Sequence, residues 1–155
     1  MRHFEVLAAT RLALKPGAIE LLNTLDDLGL PRAIATSSAR ERVEHHLLFH
    51  DLVGRFHHIV GHGDYTVGKP APDPFLKAAE LLGVEPHSCL ALEDSYNGVR
   101  SAAAACMITV MVPDLLEPTD EIRGLCALVA RDLHEVRHLL MVAATLAAML
   151  VELAH

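Results

Sequence analysis

Ala91-Leu92-Glu93-Asp94-Ser95-Tyr96-Asn97-Gly98 is the stretch on which the reading of this chain turns. The apolar run Cys89-Leu90-Ala91-Leu92 gives way at two adjacent carboxylates to a helical pattern from Val99 to Ala105. A buried strand opening directly into a helix is expected. In a parallel α/β sheet the carboxyl ends of the strands form the edge where ligands bind, so paired acids at that junction are placed to hold a metal. The same residues also fit a plainer role. Ser95 would cap the helix, Glu93 and Asp94 would be favourable charges at its N-terminus, and Gly98 would permit close backbone approach.

Around this junction, strands and helices alternate. Ala18 to Leu28 repeats Leu and Ile at helical spacing after Pro16 and stops at Gly29. Arg32-Ala33-Ile34-Ala35 reads as a short strand running into Thr36-Ser37-Ser38 and a helix from Ala39 to Phe49. Hydroxyls and free N–H groups at that turn make either an anion-binding corner or an ordinary helix cap. Phe56 to Val60 is a further strand, Met107 to Val112 a clear one closed by Pro113-Asp114, and Leu125 to Val129 a weaker one. The fold class expected is therefore α/β, a Rossmann-like parallel sheet flanked by helices. At 155 residues and 52% hydrophobic content, with no repeats, one domain over 1–155 is expected.

Gly68-Lys69-Pro70-Ala71-Pro72-Asp73-Pro74 precedes a helix from Phe75 to Leu82, with Asp73 as its cap and Pro74 at its first position. Three prolines stiffen the loop, so the Lys69 ammonium meets an anion with little loss of chain entropy. Six histidines lie between His45 and His62, and His46 and His50 would share a helix face. That spacing suits a metal pair, but a solvated polar face is the favoured reading. Cys89, Cys106 and Cys126 lack metal-knuckle spacing and read as buried free thiols of a reducing compartment.

The formal charge of −7 argues against nucleic acid or an anionic membrane as partner. It leaves room for a small phosphorylated substrate, because local donors and a cation reverse the sign at one pocket. Met1-Arg2-His3-Phe4-Glu5 lacks a basic region followed by an apolar block, so a cytoplasmic protein is expected. Residues 132–155 form a C-terminal helix whose uncharged run, Leu139 to Val151, is apolar all round and should be buried in the protein or against a partner. It is shorter than the roughly 20 residues that cross a bilayer.

Taken in order, Pro16-Gly17-Ala18, Ala35-Thr36-Ser37-Ser38, Gly68 to Asp73 and Leu92 to Gly98 resemble the haloacid dehalogenase superfamily, in particular its beta-phosphoglucomutase and phosphoglycolate phosphatase-like branch. The resemblance runs from about Pro16 to Asp114. It implies that Thr36 and the N–H of Ser37 grip a transferring phosphoryl group and that Lys69 neutralises phosphate and nucleophile. It implies further that Glu93 and Asp94 hold Mg²⁺ and that Asn97 lies in the same substrate loop. Phosphoryl transfer is catalysed largely by positioning and charge cancellation, which agrees with those roles.

The chain also departs from that pattern. Family members begin with a strand ending in Asp-x-Asp, which supplies the nucleophile and the general acid and base. Here the only acids before Thr36 are Glu5, Glu20, Asp26 and Asp27, all in helical patterns. Most of the helical cap is missing too, with Phe4 to Leu14 resembling its last helix and 1–15 its remnant. Cys106 stands where the family commonly has Gly. A sheet lacking that central strand leaves two edges facing a gap, and three outcomes are expected: the strands pair directly, another segment or chain fills the gap, or these residues are the later part of a longer protein. Two functions follow as expectations. One is a Mg²⁺-dependent phosphohydrolase or phosphomutase, inactive as an isolated chain without its aspartate. The other is a non-catalytic phosphate- or partner-binding module, self-associating through the open sheet edge or the apolar helix.

Overall fold

In a computed structural model the described residues are 14–153, with side chains to residue 149. The helix expected from Phe4, with Glu5, lies outside them apart from Leu14. The elements in chain order are α1 (Ala18–Asp27), β1 (Ala33–Ala35), α2 (Arg40–Phe49), β2 (His58–Val60), α3 (Asp73–Leu82) and β3 (Leu90–Glu93). They continue with α4 (Tyr96–Ala104), β4 (Ile108–Met111), α5 (Asp120–Leu125), β5 (Leu128–Val129) and α6 (Leu133–Leu153).

Every strand pairing is parallel, but the strands form two sheets. β1 pairs with β2, Ile34 opposite Ile59. β3, β4 and β5 form the second sheet, with Glu93 opposite Met111 and Val110 opposite Leu128. The alternation of a strand decides what covers each face. Val110 and Val112 join Leu21 of α1 and Val136 of α6 on one side. Ala91 packs with Phe75 of α3 and Ala102 of α4, and Met111 with Val99 and Ile122, on the other. α1 and α6 are further tied by the Arg137 Nε–H bond to Thr24 Oγ1 at 2.8 Å. Gly17, at φ 88°, enters α1 against the start of α6, where a Cβ would lie 2.7 Å from the His134 nitrogen.

Between β1 and β3 lies a cavity of about 840 Å³. Ala33, Ile34 and Ala35 line one wall and Leu90 to Glu93 the other, with Leu21 and Leu25 of α1 and Phe75 and Ala78 of α3 above and below. The two strands thus do not close up on each other. A void so large is foreign to a close-packed interior, and its walls are two parallel strand edges without a strand partner on that side.

Several expectations need correction. Asp73 does not cap α3; Pro72 holds the cap position and Asp73 Oδ2 instead accepts the Val67 N–H at 3.1 Å. The strand expected over Leu125 to Val129 shrinks to Leu128–Val129, because Thr119 caps a short helix that runs through Leu125. The strand expected from Phe56 begins at His58. Cys89 and Cys126 are half-buried and Cys106 exposed, all three free. The apolar run of α6 is not buried within the chain: Leu139, Met141, Val142, Leu146 and Met149 are exposed. Its packing residues Leu133, Val136 and Leu140 all fall in its first two turns, and the rest outruns the sheet. Among the described residues no helix is long and apolar enough to cross a membrane.

Burial sets the expected cost of truncations. Met111→Ala, at a fully buried position, should lower unfolding free energy by about 3 kcal/mol in urea titrations, whereas Met141→Ala on the exposed face of α6 should cost less than about 1 kcal/mol. Cys106 sits just past the end of α4 at φ 62°, the left-handed position that favours glycine. Cys106→Gly is expected to raise stability by about 1 kcal/mol in the same assay.

Candidate functional site: a lysine bridge at the carboxyl edge of two sheets

The residues singled out from sequence are carried to one edge because β1 and β3 run in the same direction and each ends where its polar turn begins. Thr36 follows β1, its N–H bonded to the Val60 carbonyl at 2.9 Å and its Oγ1 accepting the Ser38 N–H at 3.1 Å. Ser37 beside it is exposed. The Tyr65 hydroxyl donates to the Thr36 carbonyl at 3.0 Å, and the His62 N–H to the Ser38 carbonyl at 2.9 Å. The 61–65 loop therefore backs the corner. It is itself folded on Asp64, which accepts from the Gly61 N–H and pairs with Arg40. These two donors, Gly61 foremost, hold the Asp64 carboxyl below the usual carboxylate range.

Lys69 joins the two sheets. Its Nζ donates to the carbonyl of Ala35, the last residue of β1, at 3.0 Å, and to Glu93, the last residue of β3. The ammonium also lies 4.9 Å from the centre of the Phe75 ring. Both charged side chains are nearly buried, at 11% and 9% exposure. Glu93 Oε2 also lies 3.4 Å from Ser95 Oγ, which caps α4 by accepting the Gly98 N–H at 3.0 Å. The cap expected from the sequence and the acid pair are thus parts of one arrangement.

Asp94 is exposed and takes a different partner. Its Oδ2 lies 3.3 Å from Lys15 Nζ, and the same ammonium is 3.4 Å from Asp114 Oδ2. Asn97 is exposed on the first turn of α4, its Oδ1 accepting from Arg100 Nη1 at 3.1 Å. Arg100 in turn forks onto both Glu121 oxygens at 2.9 Å, a pairing that holds the Glu121 carboxyl below its ordinary range. Lys15, Asp114 and Tyr65 had not been singled out from sequence. Asp114 was findable: it lies in the turn after β4, three residues past Met111, on the strand that neighbours β3. Lys15 and Tyr65 carry no local signal, since each acts across a long sequence separation.

Whether these residues fit a divalent ion is tested by what already sits among them. Among the described residues, no three His, Cys, Asp or Glu side chains form a ready-made metal cage, and that includes His46 and His50. Asp94 and Asp114 nevertheless converge on a positive group, with the Lys15 ammonium as a tethered stand-in for an ion. Mg²⁺ needs few protein ligands, since it keeps several waters and takes one or two carboxylates with substrate phosphate. The donor set fits that mode.

Comparison with known proteins identifies the family. The family model for haloacid dehalogenase-like hydrolases matches residues 2–105, and the chain belongs to that family. The plasmid-encoded protein CbbY of Cupriavidus necator is 40% identical over 127 residues, 79% of this chain and 50% of that protein. Hexitol phosphatase B of Escherichia coli is 35% identical over 100 residues, 64% of this chain and 45% of its own. Among solved structures, CbbY from Rhodobacter sphaeroides in complex with phosphate superposes with a TM-score of 0.72 at 28% identity, covering 79% of this chain and 56% of that one. The chain spans about half the length of the curated relatives it matches.

Gly98 offers a test of the Glu93 arrangement. A Cβ there would fall inside the volume taken by the Glu93 carboxylate. Glycine to alanine within a helix ordinarily gains about 0.5–1 kcal/mol. Gly98→Ala should instead lose about 1–3 kcal/mol in thermal or urea unfolding, and most of that loss should vanish when Glu93→Ala is already present.

Proposed function

We propose that this chain carries the phosphate- and cation-binding edge of a Mg²⁺-dependent phosphohydrolase or phosphomutase acting on a small phosphorylated metabolite. The observation that carries the reading is the Lys69 bridge. One ammonium touches the residue before Thr36 and the residue before Asp94, which brings the hydroxyl corner and the acids to a single edge. In this reading Thr36 Oγ1 and the Ser37 N–H bind the phosphoryl oxygens, and Lys69 cancels their charge from a position its stiff loop fixes. Asp94 holds the metal, with Glu93 behind it anchoring Lys69. A bound Mg²⁺ would supply charge neutralisation at the phosphoryl group. Asn97 contacts the substrate once released from Arg100.

No described residue takes the part of the nucleophile. The acids lining the cavity are Glu93 and Asp94, and both are paired with lysines. The cavity between β1 and β3 favours the alternative of a non-catalytic phosphate-binding module in this one respect, since these residues bind phosphate without transferring it until a carboxylate enters from that side.

The full chain in Mg²⁺ should bind inorganic phosphate by calorimetry, and Thr36→Val should weaken this at least tenfold while costing no more than about 1–2 kcal/mol of stability for the lost Ser38 N–H bond. Hydrolysis of p-nitrophenyl phosphate should stay at the buffer rate. Robust turnover abolished by Asp94→Asn would refute the view that the nucleophile is lacking, and undiminished phosphate binding in Thr36→Val would remove the phosphate corner.

A further inference from the structure

We propose that Asp114 is a second wall of the cation seat at Asp94, and that the Lys15 ammonium holds this seat in competition with a divalent ion. The inference rests on the metal role given to Asp94 above and extends it to two residues with no assigned part. Two oxygens from the turns that follow neighbouring strands lie 3.3 and 3.4 Å from one nitrogen, although twenty residues of chain separate the acids. Lys15 and Asp94 line the same cavity, with Glu93 adjoining. Pro16 and Pro113 restrict the backbone next to Lys15 and Asp114, so both partners present their side chains from stiffened positions.

The strength of the arrangement is what makes it exchangeable. The side chains of Lys15, Asp94 and Asp114 are 33%, 46% and 61% exposed. Ion pairs so open to water are weak and screened by salt. A hydrated divalent ion carries twice the charge of the ammonium and uses the same carboxylate oxygens. Glu93 behaves differently, because its buried pairing with Lys69 is not open to such exchange. The ammonium therefore keeps the two acids from repelling each other while no ion is bound, and it swings aside when one binds.

Mn²⁺ binding to the full chain, followed by the electron paramagnetic resonance of the free ion, tests this without reference to turnover. Lys15→Met should tighten Mn²⁺ about three- to tenfold, and Lys15→Arg should leave it near the parent value. Adding Asp114→Asn to Lys15→Met should cancel the gain. Lys77→Met, which removes the same charge from a surface pair with Glu80, should give no comparable gain. Equal binding by the parent and Lys15→Met would overturn the inference and leave the metal role of Asp94 standing. So would a gain that survives Asp114→Asn or is matched by Lys77→Met. An absence of Mn²⁺ binding in every variant would overturn both.

Discussion

One ammonium shared by two half-sheets is the constraint on which the rest of this molecule depends. Lys69 reaches the end of β1 through a carbonyl and the end of β3 through a carboxylate, and the Phe75 ring covers its flank. Burying an ammonium and a carboxylate is costly unless each finds charge and hydrogen bonds in place. Here they do: Glu93 has Lys69 and the Ser95 hydroxyl at hand, and Gly98 leaves the room that its carboxylate needs. The proline-rich loop adds to this by limiting the conformations from which the lysine must be recruited. The two sheets meet at their carboxyl edge through this contact, while farther down the strands stand apart.

That separation explains how burial is distributed. The β3–β4–β5 sheet is covered on both faces, by α1 and α6 on one and by α3, α4 and α5 on the other, and its central strand is almost fully buried from Thr109 to Met111. The β1–β2 sheet is thinner. All three residues of β1 are only half-buried, because the side that would carry another strand opens on the cavity. Each half is nevertheless built from local crossovers in which a strand is followed by a helix, so each forms its own ladder without the missing middle. The order β2–β1, cavity, β3–β4–β5 leaves room for one further parallel strand with an edge waiting on either side.

How much of this was legible depended on how local the determining physics is. The strand–cap–helix junction at Glu93 to Gly98 was readable because an apolar run, a capping serine and a glycine are adjacent in sequence, and Ser95 does cap α4. The parallel α/β class followed from alternating patterns, and the lack of a central strand from the absence of any such pattern before Thr36, but whether β1 and β3 would pair or stand apart did not, since edge pairing is settled by packing and not by local pattern. α5 escaped notice because six residues are too few to show a helical period. The exposure of α6 was not legible either. Periodicity says that a face is apolar but not whether the fold extends far enough to cover it, and here cover ends near Leu140. Ion pairs across the chain, such as Lys15 with Asp114, leave no mark in local sequence at all.

The adjacency of Glu93 and Asp94 accounts for the two kinds of chemistry at this edge. Glu93 closes β3 and Asp94 opens the bend after it, and their carboxylates find different partners although both line the cavity. The first turns inward to a buried lysine and becomes part of the framework; the second turns outward to an exposed lysine and stays open to exchange. A single dipeptide thus divides between holding the site together and presenting a replaceable charge. If both pointed inward, the edge would bury an uncompensated carboxylate; if both pointed outward, nothing would tie β3 to the hydroxyl corner after β1. The passage from strand to bend between Glu93 and Asp94 allows the arrangement that avoids both.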